Sequence, residues 1–135
     1  MEYKKSYLGL VIWLVLFMAV PAAALAILPA ADGATMMRLF LNYMTISLAL
    51  LMLIVYKTEA VYWINGVEFD QAKEAGPEKR KAFAMRHLER FGWFALLFAA
   101  FSCLCHIFGW SEWIDFAVCI VGIIGVAIST VPIKL

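Results

Sequence analysis

Charged residues are excluded from four long stretches of this chain, and this exclusion constrains the fold more than any other feature. The stretches cover residues 8–28, 39–56, 91–110 and 114–133, and the last of them contains one charge, Asp115, near its beginning. A helix needs about 20 apolar residues to cross a hydrocarbon layer roughly 30 Å thick. Hydrophobic residues make up 65% of the 135 residues, more than a water-soluble domain of this size can bury. The sequence therefore predicts an all-α membrane protein, with four transmembrane helices in a single membrane domain.

The distribution of basic residues predicts the orientation of these helices. Four spans place the amino terminus, the segment 57–90 and the carboxyl terminus on one side, and ten of the eleven Lys and Arg residues lie there. Because Lys and Arg accumulate in cytoplasmic loops, we expect both termini to be cytoplasmic, in a plasma membrane that we interpret as a bacterial inner membrane. The isolated Arg38 is expected at the opposite headgroup level, with its stem along the second helix. A net charge of +1 gives no reason to expect a nucleic-acid partner.

The first span also has features of a secretory signal peptide. Lys4 and Lys5 precede the apolar run, and Ala24-Leu25-Ala26 matches a small-x-small cleavage pattern. The apolar run continues past this site through Leu28. We therefore expect the first span to be retained as a membrane anchor, with no cleaved signal peptide.

The polar segment 57–90 is patterned as a folded insert. Residues 60–64 and 67–69 have the composition of two short strands around Asn65-Gly66, a pair typical of a type I′ turn. The pattern predicts a small cytoplasmic β-hairpin that pairs Tyr62 with Phe69. An isolated hairpin is marginal in water, so we expect it to rest on the bilayer interface, on the following helix or on a partner.

An amphipathic helix is predicted between this hairpin and the third span. Asp70 is expected to cap a short helix that ends at Gly76, and Pro77 then begins a longer helix. From residue 78, apolar residues recur at helical spacing on one face, and basic residues occupy the rest. We expect this region to bind anionic lipid headgroups or to dock a membrane or cytoplasmic protein partner. The expected lipid or partner contacts are Tyr62, Trp63, Phe69, Lys79, Arg80, Arg86 and Arg90.

Ionisable groups in the middle of a span mark function, because their burial is costly, and the sequence places none there. A proton-coupled exporter would need a buried carboxylate, so this composition argues against such an antiporter. Asn42, Tyr43 and Thr45 are instead expected to form hydrogen bonds between helices.

One constellation suits metal or thiol chemistry, near the outer ends of the third and fourth spans. It consists of Cys103, Cys105 and His106 on the third span and Cys119 on the fourth, and thiolate and imidazole ligands suit zinc or copper. Cys103 and Cys105 are two residues apart on a helix and face different directions, and buried Cys commonly serves as a small apolar residue. We therefore favour a packing role for these residues over a metal or redox role, and we expect no cofactor. The candidate metal ligands are Cys105, His106 and Cys119.

Small residues form a stripe along the fourth span. Gly122, Gly125 and Ser129 recur at spacings of three and four residues, which lets neighbouring helices approach closely. Packing inside the bundle is the favoured use of this stripe, and a homodimer is the alternative.

These patterns favour a non-enzymatic function. A small accessory, regulatory or immunity-type subunit would bind its partner through the insert 57–90. The alternatives are a transporter or channel subunit that works as an oligomer, and a membrane thiol-redox or metal-binding protein. No Gly-rich phosphate loop supports nucleotide binding.

Overall fold

A computed structural model describes residues 2–27 and 32–135, and these residues form four α-helices and one short 3₁₀ helix. The helices are α1 (Leu8–Ile27), α2 (Gly33–Thr58), α3 (Phe69–Ile107) and α4 (Glu112–Thr130), and the 3₁₀ helix covers Val61–Trp63. All four α-helices are long and apolar enough to cross a membrane. They agree with the membrane bundle that the sequence predicts, although Leu28, the predicted end of the first span, lies outside the described residues.

The predicted β-hairpin is wrong, because the described residues contain no strand. Asn65-Gly66 still forms a turn, in which the Val67 amide donates to the Ile64 carbonyl at 3.3 Å. Only the glycine of the pair has a positive φ, of 90°, whereas a type I′ turn needs positive φ at both central residues. A negative φ followed by a positive one is the type II pattern, which splays the flanking segments. Glu68 then caps a helix, and its amide donates to the Gln71 side chain at 3.3 Å.

The helix α3 is broken at Gly76, where the sequence predicts a break. Gly76 has φ 81° and ψ 166°, a conformation that only glycine adopts without cost. Pro77 begins the second part, since the first turn of a helix leaves its amides unbonded in any case. The N-cap residue of the first part is Glu68. The sequence predicts Asp70 in this role, but Asp70 lies two residues later, in the first turn of the helix. From Pro77 the helix runs without another break to Ile107, through the amphipathic stretch and the third span.

Three helices form the centre of the bundle, and α1 lies at its side. Leu41, Phe98 and Cys119, one each from α2, α3 and α4, pack together as a buried core. No residue of α1 is buried. It meets α2 through Tyr43, whose ring stacks on Phe17 at 5.6 Å between centroids and whose hydroxyl donates to the Phe17 carbonyl at 2.9 Å. In a membrane, most of the apolar surface of α1 is therefore left to lipid.

The small-residue stripe of α4 has one position of close packing. A Cβ atom built on Gly122 would lie 2.2 Å from Cε2 of Phe94, so the Phe94 ring of α3 occupies the space of the missing side chain. A Cβ on Gly125 would meet no atom within 4 Å. The Ser129 hydroxyl donates to the Val126 carbonyl of its own helix at 2.7 Å. Gly122 thus serves packing inside the bundle, while Gly125 faces open space.

A second core lies at the other end of the bundle, where the insert folds over the ends of α2 and α3. We call this end the cap and define it as residues 59–84 together with Tyr3–Ser6. The Tyr62 hydroxyl accepts from the Ser6 amide and donates to the Ser6 carbonyl, each at 2.8 Å, and the Trp63 indole donates to the same carbonyl at 3.0 Å. Ile133 and Leu135 pack against the same core. The N-terminal segment, the insert and the C-terminal segment therefore meet at one end. The buried core residues here are Val55, Ala60, Val61, Tyr62, Ala72, Phe83 and Ala84.

Candidate functional site

Near the starts of α2 and α4, away from the cap, polar side chains of three helices form a group that we call the polar cluster: Arg38, Asn42, Ser102, His106 and Asp115. Ser102 and Asp115 are buried, Arg38 and Asn42 are half-buried, and His106 is exposed. Asp115 lies in the first turn of α4 and is 0% exposed. Nε of Arg38, on α2, lies 3.3 Å from Oδ1 of Asp115, and the Ser102 hydroxyl of α3 donates to Oδ2 at 2.6 Å. One carboxylate thus connects the three central helices.

Trp110 and His106 complete the hydrogen bonding of the Arg38 guanidinium, and Asn42 binds Ser102. Its Nη2 donates to the Trp110 carbonyl, and its Nη1 lies 3.4 Å from Nδ1 of His106. A guanidinium can only donate, so Nδ1 of His106 is the acceptor in this contact. The Asn42 amide donates to Ser102 Oγ at 3.1 Å. No buried side-chain nitrogen or oxygen in the described part of the chain lacks a partner.

Sequence reasoning missed the polar cluster. The position of Arg38 at the headgroup level stays a prediction, but Arg38 is not isolated: its side chain is only 11% exposed and is bound to Asp115. The signal in the sequence is a pair of isolated, opposite charges. Arg38 is the one basic residue outside the cap end, and Asp115 is the one charge in the fourth stretch. Both lie within the first two turns of helices that run in the same direction through the bundle, so their depths match.

The predicted hydrogen bonds between helices have mixed outcomes. Asn42 binds Ser102 of α3, and Tyr43 binds the Phe17 carbonyl of α1, as expected. The Thr45 hydroxyl instead donates to the Asn42 carbonyl of its own helix at 3.0 Å. The hydroxyl of Thr or Ser can bind a carbonyl of its own helix. Composition alone therefore does not show which polar residues form hydrogen bonds to another helix.

The metal candidates lie in and next to the polar cluster. Cys105 is fully buried beside the Asp115 carboxylate, and Cys119 is fully buried in the core of the bundle. His106 is exposed and directs Nδ1 toward Arg38. The described residues contain no group of three His, Cys, Asp or Glu side chains placed to hold a metal ion. All three cysteines, including the exposed Cys103, are free thiols.

The cap contains a second buried arginine and carboxylate pair. Nε and Nη2 of Arg80 donate to Oε2 of Glu59 at 3.0 and 2.8 Å, and Nη1 donates to the Ala72 carbonyl at 2.9 Å. The guanidinium also lies over the Tyr3 ring, 3.9 Å from its centroid. Glu59 ends α2 with φ 59° and ψ 18°, a left-handed conformation that is unfavourable for glutamate. Its side-chain and carbonyl contacts hold it there.

Tyr3 ties the N-terminal segment to this pair. Its hydroxyl donates to the Glu59 carbonyl at 2.6 Å, and its ring stacks on Phe69 at 5.3 Å between centroids. Burial raises the pKa of Tyr3 to about 12, against the opposing effect of the Arg80 charge. Tyr3 therefore stays protonated, as a donor to Glu59 must.

The predicted lipid and partner contacts divide into buried and exposed residues. Tyr62 and Arg80, 8% and 6% exposed, lie in the interior of the cap. Trp63 and Phe69 are half-buried, and the Trp63 indole packs against Gly9 of α1, where a Cβ would lie 2.8 Å from the ring. The exposed members of the set are Lys79, Arg86 and Arg90.

Lys79 lines a cavity of about 1020 Å³ between the insert, α3 and the end of α4, which we call the cap groove. Its apolar lining includes the half-buried Val67 and the buried Phe83. His87 also lines the cap groove. Its Nδ1 lies 3.0 Å from the Phe83 carbonyl, and burial lowers the pKa of its imidazole. The exposed polar lining residues are Asn65, Gln71, Glu74, Lys79 and Lys134.

Comparison with known proteins does not identify a family for this chain. Models of protein families, curated proteins and solved structures give no match to the chain. Function therefore has to be inferred from the residues at the two ends of the bundle.

Proposed function

We propose that this protein is a small accessory, regulatory or immunity-type subunit of a bacterial inner membrane, and that it binds another protein through the cap groove. The observation that carries this proposal is the cap groove itself. Apolar side chains surrounded by exposed polar ones are the usual composition of a protein-binding surface. The occupant is then a segment of a second protein, in the membrane or at its cytoplasmic surface.

The charges of the cap groove define the chemistry of that segment. Lys79 and Lys134 contribute two positive charges and Glu74 one negative charge, so the side chains of the lining carry one more positive charge than negative. A complementary segment carries an apolar side chain that covers the half-buried Val67, next to a carboxylate that pairs with a lysine. Such complementarity selects the partner more than it strengthens binding.

The interior of the cap supports binding by keeping the groove in one shape. Arg80 joins Glu59, at the end of α2, to the Ala72 carbonyl of the insert. Tyr62 fixes the insert to Ser6 of the N-terminal segment. A surface that is ordered before binding loses less conformational entropy on binding. Tyr62 and Arg80 thereby contribute to the surface without touching the partner.

The concentration of basic residues at the cap supports a cytoplasmic location for this end of the bundle. Ten of the eleven Lys and Arg residues lie at that end, and cytoplasmic loops carry this excess. Both termini are then cytoplasmic, and the polar cluster lies toward the outer surface.

Photo-crosslinking in native membranes tests the proposal. A photoreactive residue at Gln71, in the cap groove, is expected to capture one discrete protein. The matched control is Lys73, which is exposed on the same helical segment but does not line the groove. Lys79→Glu should lower the Gln71 crosslinking yield roughly fivefold, since the reversal of an exposed charge changes the pair energy by on the order of 1 kcal/mol. Equal capture at Gln71 and Lys73, or a yield that Lys79→Glu does not change, would contradict the proposal.

A further inference from the structure

A second cavity, of about 560 Å³, lies between α3 and the end of α4. We call it the α3/α4 hollow. Arg86 and Arg90 line it from α3, four residues apart and therefore on one face of the helix. Its other lining residues are Glu89, Ser129, Pro132 and Ile133.

Within the described part of the chain, the two arginines of the hollow have no ion-pair partner. In the described residues, carboxylates within 4.0 Å of a basic nitrogen pair only with Arg38, Arg80 and Lys81. Arg86 and Arg90 are both exposed. Two neighbouring guanidinium groups with free donors match the oxygens of a phosphate group, which arginine can bind bidentately.

The end of α4 does not need these arginines as helix caps. Basic side chains often serve the unbonded carbonyls at a helix C-terminus. Here the Ala127 carbonyl accepts from the Thr130 hydroxyl at 2.7 Å, the Ile128 carbonyl accepts from the Val131 amide at 3.1 Å, and the Thr130 carbonyl accepts from the Ile133 amide at 3.0 Å. Three of the last four carbonyls thus have partners nearby in the chain, so the arginines remain available to a ligand.

The position of the hollow along α3 indicates a lipid ligand. Arg90 directly precedes the uncharged stretch that begins at Phe91. Exposed apolar side chains follow on both helices, with Leu97 63% exposed on α3 and Ile124 54% exposed on α4. A phosphate bound by the arginines would lie at the headgroup level, with acyl chains beside these helices. Basic pockets between transmembrane helices on the cytoplasmic side bind anionic headgroups in this way.

We propose that the α3/α4 hollow is a binding site for the phosphate of an anionic phospholipid, held by Arg86 and Arg90. Glu89 lines the same cavity, and its carboxylate opposes the phosphate. The site therefore binds more weakly than two arginines alone would. The hollow shares Ile133 with the lining of the cap groove. Arg86 and Arg90 do not line the groove, so the lipid site does not depend on the proposed protein partner.

Lipid binding to the purified full-length protein in zwitterionic nanodiscs tests the site, with phosphatidylglycerol as the probe. The double variant Arg86→Gln/Arg90→Gln should weaken binding roughly 30-fold, or about fivefold per arginine, because a basic residue near the surface contributes about 1 kcal/mol. The control Lys57→Gln/Lys73→Gln removes the same charge from exposed positions outside the hollow and should weaken binding by less than about threefold. Glu89→Gln should tighten it.

The possible results separate a built site from general attraction to anionic membranes. An equal loss in the two double variants, or equal binding of phosphatidylglycerol and phosphatidylcholine, would overturn the proposal. Soluble glycerol phosphate that binds as tightly as the lipid would show a free phosphate ligand and would also overturn it. Circular dichroism checks that each variant is folded, which we expect because all five substituted residues are exposed.

Discussion

The two ends of the bundle each bury an arginine against a carboxylate, but the surroundings of the two pairs differ. Side-chain exposure is 11% for Arg38 and 0% for Asp115 in the polar cluster. It is 8% for Arg80 and 22% for Glu59 in the cap. Ser102 completes the first pair with a short hydrogen bond. The second pair is covered by an aromatic ring and has Lys81 as an additional, more distant cation at 3.7 Å.

This difference implies different roles for the two pairs. Asp115 is 0% exposed, so its carboxylate oxygens are bound by Arg38 and the Ser102 hydroxyl in place of water. A buried ion pair adds little net stability over apolar residues, but the loss of one partner is costly. The polar cluster therefore fixes how α2, α3 and α4 pack against each other. The cap pair is partly accessible to water, and it joins the end of α2 to the insert and, through Tyr3, to the N-terminal segment.

The largest expected effect is a loss of stability when the ion pair of the polar cluster is broken. Asp115→Ala leaves the Arg38 guanidinium without its carboxylate, and we expect a loss of about 3–5 kcal/mol in the free energy of unfolding. The double variant Arg38→Met/Asp115→Leu removes both charges and should unfold within about 1 kcal/mol of the wild type. Equilibrium unfolding in detergent micelles measures both. If the double variant were as unstable as Asp115→Ala, the cost would come from lost packing and not from an unpaired charge.

A smaller and more local effect is expected at the cap. Arg80→Met loses two hydrogen bonds to Glu59 and one to the Ala72 carbonyl, and charged hydrogen bonds contribute about 1.5–3 kcal/mol. Hydrogen exchange should show a loss of about 2 kcal/mol of protection in the insert, with α4 unchanged near Asp115. Lys81→Met is the control. It should cost less than about 0.5 kcal/mol, because Lys81 is 52% exposed. Uniform loss of protection along the chain would remove the distinction between the two ends.

The sequence predicts features that depend on neighbouring residues in the chain. Four stretches with at most one charge are sufficient to predict the four helices, and Gly76-Pro77 is sufficient to predict the break in α3. Proline fixes φ, and glycine permits positive φ, wherever they occur, so their effect can be read locally. The same local reasoning predicts a type I′ hairpin at Asn65-Gly66, and there it is wrong.

The features that the sequence did not predict depend on contacts between distant residues. Tyr62 has strand propensity, but its hydroxyl binds Ser6, 56 residues away, and its ring is buried in the cap. Tertiary packing of this kind overrides strand propensity. Arg38 and Asp115 are 77 residues apart, and each charge alone is compatible with a position at the headgroups. Only their matching depth in α2 and α4 identifies them as a pair.

The smallest expected effect concerns pH and the N-terminal segment. The pKa of Tyr3 is about 12 in the folded protein, against 10.0 for an unperturbed tyrosine. Because the folded pKa is the higher one, the contribution of Tyr3 to stability is complete below pH 10 and is lost as the pH rises toward 12. Tyrosinate then cannot donate to the Glu59 carbonyl, and Tyr3 should leave the cap while the polar cluster stays intact. The difference in tyrosinate absorbance between the wild type and Tyr3→Phe isolates this step, with an expected midpoint near pH 12. A midpoint near pH 10 would show that Tyr3 is solvated, and the cap would then lack the aromatic cover that distinguishes its ion pair from the pair of Arg38 and Asp115.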